Sequence, residues 1–127
     1  MIPRYVLDTG ALIAAERGKA RASRFIRLAH VGRARLIVPM AVVAEWWRGR
    51  TDARDALLGA AEVVASLEAA KAAGIALARL KDVDGKLTID AIVMATAALL
   101  DAVVVTGDRA DFDRLAAHFP GVAVLST

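Results

Sequence analysis

The sequence predicts an α/β fold, a mostly parallel sheet of about five strands flanked by helices, and three observations carry that prediction. Of the 127 residues 57% are hydrophobic and only 5% aromatic, so the core is made of Ala, Val, Leu and Ile, the composition of helices packed on a β-branched sheet. Short apolar runs alternate with helical patterns along the chain, which implies right-handed crossovers between parallel strands. Two of those runs, Val6-Leu7-Asp8-Thr9 and Val105-Thr106-Gly107-Asp108, carry a hydroxyl residue and an Asp at their carboxyl ends.

Residues 4 to 8 read as a buried strand, and Thr9-Gly10 turns the chain into a short helix, Ala11 to Glu16, stopped by Gly18. Arg21 to His30 is a second helix, with Phe25, Leu28 and Ala29 on one face, ended by Gly32. Arg35 to Val38 is a short strand, and Pro39 suits the first turn of the helix carrying Val42, Val43, Glu45, Trp46 and Trp47, closed by Gly49. Ala53 to Ala61 is helical, Glu62 to Ala65 a brief strand, and Ser66 caps a long Ala-rich helix through Leu80. Asp82-Val83-Asp84-Gly85 is a structural turn, because it lacks the later acids of a calcium loop. Thr88 caps a helix from Ile89 to Leu100 with Asp90 in its first turn; Val103 to Thr106 is a strand, Arg109 to Phe119 a helix, and Val122 to Leu125 a last strand. Length favours one domain over 1–127.

The chain has no cysteine, which excludes disulfide scaffolds, thiolate zinc sites and cysteine catalysis and fits a cytoplasmic setting. Ile2-Pro3-Arg4 leads straight into the first strand without the apolar core of a signal peptide, and no apolar run reaches membrane-spanning length. The pI is near 9.8 although the net charge is only +3, so distribution matters more than total. Basic residues crowd the first half, among them Arg17, Lys19, Arg21, Arg24 and Arg27, as a polyanion partner would require; a solvated helix face is the plainer reading.

Asp8 and Asp108 follow strands, and in a parallel sheet such acids meet at the carboxyl edge if their strands are neighbours where strand order reverses. Asp90 projects toward the same end, and Glu45 sits on an otherwise apolar helix with Arg48 as its only near helical partner. Singly each has an ordinary explanation: an N-cap for Asp108, a dipole-favoured carboxylate for Asp90, a turn former for Asp8. Together they share a difficulty, because two carboxylates about 4 Å apart repel by roughly 4 kcal/mol at an effective dielectric of about 20. Mg²⁺ or Mn²⁺ resolves it, since both prefer oxygen ligands and bridge carboxylates to phosphates. Zinc does not suit, because His30 and His118 lie away from the acids.

In this order and context, Val6-Leu7-Asp8-Thr9-Gly10-Ala11-Leu12, Val43-Ala44-Glu45, Asp90-Ala91-Ile92-Val93-Met94-Ala95-Thr96-Ala97 and Val105-Thr106-Gly107-Asp108-Arg109-Ala110-Asp111-Phe112 resemble the PIN-domain ribonucleases, and in size the VapC-type toxins of toxin-antitoxin pairs. The resemblance spans essentially the whole chain. It implies a three-layer PIN-like sandwich, Mg²⁺- or Mn²⁺-dependent RNA cleavage, a homodimer and a small cognate antitoxin. Asp8, Glu45, Asp90 and Asp108 would be the catalytic, metal-holding quartet, with Thr9 and Thr106 ordering the site and Asp111 a supporting carboxylate.

The expected mechanism is in-line attack on a phosphodiester by metal-activated water, with no protein nucleophile. Trp46 and Trp47 are adjacent on a helix and point apart, so at least one belongs to the core or an interface. A dehalogenase-like phosphatase would need a second Asp where Gly10 stands; a receiver-like Mg²⁺-binding module would need a Lys after a late strand, where Arg109 stands. A catalytically silent RNA- or partner-binding domain on the same fold is the remaining alternative.

Overall fold

The computed structural model describes residues 1–127. The chain runs β1 (Arg4–Leu7), α1 (Thr9–Glu16), α2 (Ala20–His30), β2 (Arg35–Pro39), α3 (Met40–Trp46), α4 (Asp52–Gly59), β3 (Ala61–Val64), α5 (Leu67–Leu77), α6 (Gly85–Leu100), β4 (Val103–Thr106), α7 (Ala110–Ala116) and β5 (Val124–Ser126). One sheet holds all five strands in the order β3-β2-β1-β4-β5, every pairing parallel. The predicted α/β sandwich is what forms.

The inner strands are continuous apolar runs because both sheet faces are covered. Val6, Leu36, Ile37, Val38, Val104 and Val105 are buried, and each such side chain contributes on the order of 1.5–3 kcal/mol. Right-handed crossovers place α1 to α4 over one face and α5 to α7 over the other. The long α6 lies across β1, β2 and β4 and packs on α5 through an Ala-rich surface that lets the two helices approach closely. No helix is long and apolar enough to cross a membrane.

The chain steps outward from β1 to β2 and β3, then returns to the other side of β1 as β4, so strand order reverses between β1 and β4. Leu7 is in register with Val105, and Asp8 N–H donates to Val105 O at 3.2 Å. Asp8 and Thr106 therefore leave the carboxyl edge side by side, at the position where parallel sheets bind ligands.

Several boundaries differ from the sequence reading. α6 begins at Gly85, and its cap is Asp84, whose side chain accepts from Leu87 N–H at 2.8 Å; Thr88 lies inside the helix and donates to Asp84 O. The acidic turn is thus the start of a helix, and Asp90 falls in the second turn. Pro39 ends β2 and precedes α3, α5 stops at Leu77, and α7 is confined to Ala110–Ala116. Ser66 does cap α5, accepting from Ala69 N–H at 3.1 Å.

Candidate active site

Asp8 is the residue from which the site is built. It is the N-cap of α1: Oδ1 accepts from Ala11 N–H at 2.7 Å and, more weakly, from Gly107 N–H at 3.3 Å. Its other oxygen accepts the Thr106 hydroxyl hydrogen at 2.5 Å, and Thr106 Oγ1 in turn accepts from Asp108 N–H at 2.9 Å. Three elements thereby converge on one buried carboxylate. Burial still pushes Asp8 above the ordinary carboxylate range, against the lowering effect of these donors.

This convergence needs two glycines. A Cβ on Gly107 would lie 2.8 Å from the Gly10 carbonyl carbon, and a Cβ on Gly10 would lie 3.0 Å from the Gly107 Cα. The first turn of α1 and the loop after β4 are in backbone contact there. An Asp at position 10, as a dehalogenase-like site requires, would press on the Gly107 backbone and force one of the two segments to shift.

Asp90 enters from α6, buried beside Asp8. Its carboxyl is pushed up to about 7, first by burial, then by the charges of Asp8 and Asp111, with Lys86 opposing. Glu45 arrives from α3, half-buried, and accepts the hydroxyl hydrogen of Thr9. Arg48 is not its partner; that guanidinium turns back to Ala44 O. Asp108 sits at the rim with its side chain 59% exposed and is not the N-cap of α7, a position held by Arg109. The structure thus gathers Asp8, Asp90 and Glu45 within electrostatic reach and leaves Asp108 at the mouth.

Lys86 is the residue that sequence reasoning missed. From the first turn of α6 its ammonium pairs with Asp111 and lies 3.9 Å from Asp108 Oδ2. Asp111 Oδ2 is sealed from solvent and has no hydrogen-bond partner other than that ammonium. Pairing with Asp111 raises the Lys86 pKa, and the charges of Asp90 and Asp108 raise it further. Its spacing of four from Asp90 was the available signal, but it carries meaning only once α6 starts before Thr88. Together Lys86, Asp90, Asp111, Asp84, Leu87 and Arg114 line a cleft of about 70 Å³.

The donors here are carboxylate and hydroxyl oxygens, with neither thiol nor imidazole among them, a set suited to a hard divalent cation. The two buried carboxyls, Asp8 and Asp90, make no ion pair, and a divalent cation between them would offset the cost of their burial. In this geometry no three of the acids close around a single point, and the Lys86 ammonium occupies the acidic cleft. The histidines stay outside, His30 exposed at the end of α2 and His118 after α7.

Trp46 is core. Its ring is buried, Nε1 donates to Glu16 Oε1 at 3.0 Å, and Trp47 meets it edge-on at 5.9 Å between centroids. Arg54 grips the same Glu16 through Nε at 3.1 Å and its terminal nitrogen at 3.2 Å, tying α4 and α3 to the end of α1.

The family model of the PIN domain matches residues 5–118. No curated protein matches the sequence. Among solved structures, the fold is similar to that of VapBC2 from Rickettsia felis bound to a DNA fragment from its promoter (TM-score 0.72, 17% identity, 98% of each chain covered). It is also similar to DNA-bound VapBC from Salmonella typhimurium (TM-score 0.69, 21% identity, 99% of this chain and 98% of that one). PAE2754 from Pyrobaculum aerophilum shares it at TM-score 0.58 and 22% identity, over 98% of this chain and 92% of that one. PIN domains are generally nucleases, and those nucleases typically use divalent metals. With the family model spanning residues 5–118 and the acids gathered at the carboxyl edge of β1 and β4, the chain belongs to the PIN-domain family.

Proposed function

We propose that the chain, read as one PIN domain over 1–127, is a metal-dependent endoribonuclease and the toxin of a VapBC-like pair, working as a homodimer with a small cognate antitoxin. The observation that carries the reading is the pair Asp8 and Asp90, two carboxyls buried side by side at the strand-order reversal, both raised first by burial and then, in Asp90, by the neighbouring acids. The family supports the nuclease class. The likeness in fold to VapBC chains supports the toxin assignment and the antitoxin partner.

In this reading Asp8, Glu45, Asp90 and Asp108 hold Mg²⁺ or Mn²⁺. When bound, such an ion supplies a water of lowered pKa for attack and neutralises charge on the phosphodiester oxygens. The chain's own residues set the stage. Thr106 and the Ala11 and Gly107 amides fix both oxygens of Asp8, so that carboxylate does not reorient. Thr9 holds Glu45 toward the cluster from α3. Lys86, paired with Asp111 and lying near Asp108, is a competitor of a divalent ion for the charge of these acids.

The test is cleavage of end-labelled RNA by purified chain in EDTA, Mg²⁺ or Mn²⁺, beside Asp8→Asn. Cleavage is expected only with metal, and the variant should lose about 100-fold or more, the scale on which electrostatic groups at a reacting phosphate act. Cleavage in EDTA, or equal cleavage by the variant, overturns the reading.

A further inference from the structure

A second charged feature lies at the same edge of the sheet, outside the acidic cluster. Arg21 and Arg24 from α2 and Arg109 from the loop after β4 converge on an open pocket of about 410 Å³, which Phe25, Leu125 and Ser126 complete. No acidic residue lines it. None of the three guanidiniums makes an ion pair, whereas Arg35, Arg50 and Arg54 are taken by Glu62, by Asp52 and Asp55, and by Glu16.

The backbone beneath adds to the imbalance. α2 has no side-chain cap and no acid in its first turn, and Lys19 occupies its N-cap position. Cations are therefore gathered at the positive end of a helix, the reverse of the favourable arrangement. Like charges of this kind are stabilised by an external anion, and planar guanidiniums match phosphate oxygens bidentately. The neighbouring apolar surface of Phe25 and Leu125 suits a base.

The position selects the ligand. Arg109 follows Asp108 directly, Ser126 is in register with Thr106, and Thr127 N–H donates to Thr106 O at 2.9 Å. The pocket thus adjoins the acidic cluster across the β4–β5 edge, where a strand lying on the acids would place a further phosphate. We infer that Arg21, Arg24 and Arg109 form a subsite for a phosphate of single-stranded RNA flanking the scissile bond, with the adjacent base resting on Phe25 and Leu125. This deepens the nuclease reading and rests on it.

The experiment is fluorescence anisotropy of labelled single-stranded RNA with the full chain in EDTA, so that binding is read without cleavage. A triple variant, Arg21→Gln with Arg24→Gln and Arg109→Gln, is compared with a charge-matched control, Arg4→Gln with Arg33→Gln and Arg35→Gln, at the opposite edge of the sheet. Affinity should fall at least tenfold in the pocket variant alone, and the salt slope should shrink by roughly 0.7, the share of the one phosphate that the protein no longer neutralises. Arg24→Glu by itself, at an exposed position, should act in the same direction. Equal losses in both triple variants, or loss of polyglutamate binding with RNA binding intact, overturns the inference. Pocket-dependent RNA binding by a chain that never cleaves RNA keeps the subsite and removes the nuclease.

Discussion

Gly10 and Gly107 touch through their backbones, and this contact sets how closely the start of α1 approaches the end of β4. Beside it, Asp8 accepts the Thr106 hydroxyl hydrogen across the β1–β4 register.

Substituting Gly107→Ala inserts a methyl group 2.8 Å from the Gly10 carbonyl carbon, with backbone on both sides and no flexible side chain to yield. Overpacking of this kind costs about 1–3 kcal/mol. Denaturant unfolding should show that loss, with weaker Mn²⁺ stabilisation because Asp8 and Thr106 are moved apart. Unchanged stability and unchanged metal response would show that the two segments have room to separate.

Lys86→Met removes the ammonium from the acidic cleft. The metal-free protein should lose stability at pH 8, where Asp90 and Asp111 face each other without a counter-charge. Mn²⁺ or Mg²⁺ should bind more tightly, by about tenfold, which corresponds to about 1.4 kcal/mol of relieved competition. The rise of the thermal midpoint with metal concentration measures this directly. A weaker metal response than wild type would mean that Lys86 assists the ion and does not compete with it.

Glu16 has a lowered pKa because Arg54, and then Trp46, donate to its carboxylate. A depressed carboxylate stabilises the fold above its unfolded value, near 4.5, and that contribution disappears as pH falls through the folded value. Glu16→Gln should therefore melt lower than wild type at pH 7, and the difference should close in acid. The shift should be accompanied by a changed Trp46 fluorescence, since the same carboxylate holds its indole. A difference that is constant with pH would assign the effect to packing.

The sequence by itself determined the layered α/β architecture, because apolar runs covered on both faces and separated by helices have few other ways to bury themselves. It also marked Asp8, at the end of a buried apolar strand, and Glu45, on an otherwise apolar helix, as acids whose surroundings make them costly without a partner, and named Asp90 and Asp108 beside them. Tertiary structure decided the rest. That β1 and β4 are neighbours, so that Asp8 reaches Thr106 across 98 positions of chain, depends on a crossover that no local pattern encodes. The sequence reading starts α6 after Thr88, whereas the folded chain starts it at Gly85, capped by Asp84 through the bond from Leu87 N–H. With that start Lys86 came into the acidic cleft, and Asp108, equivalent to Asp8 by sequence pattern, was left in water at the rim. Charge and hydropathy are properties of residues; which charges meet is a property of the folded chain.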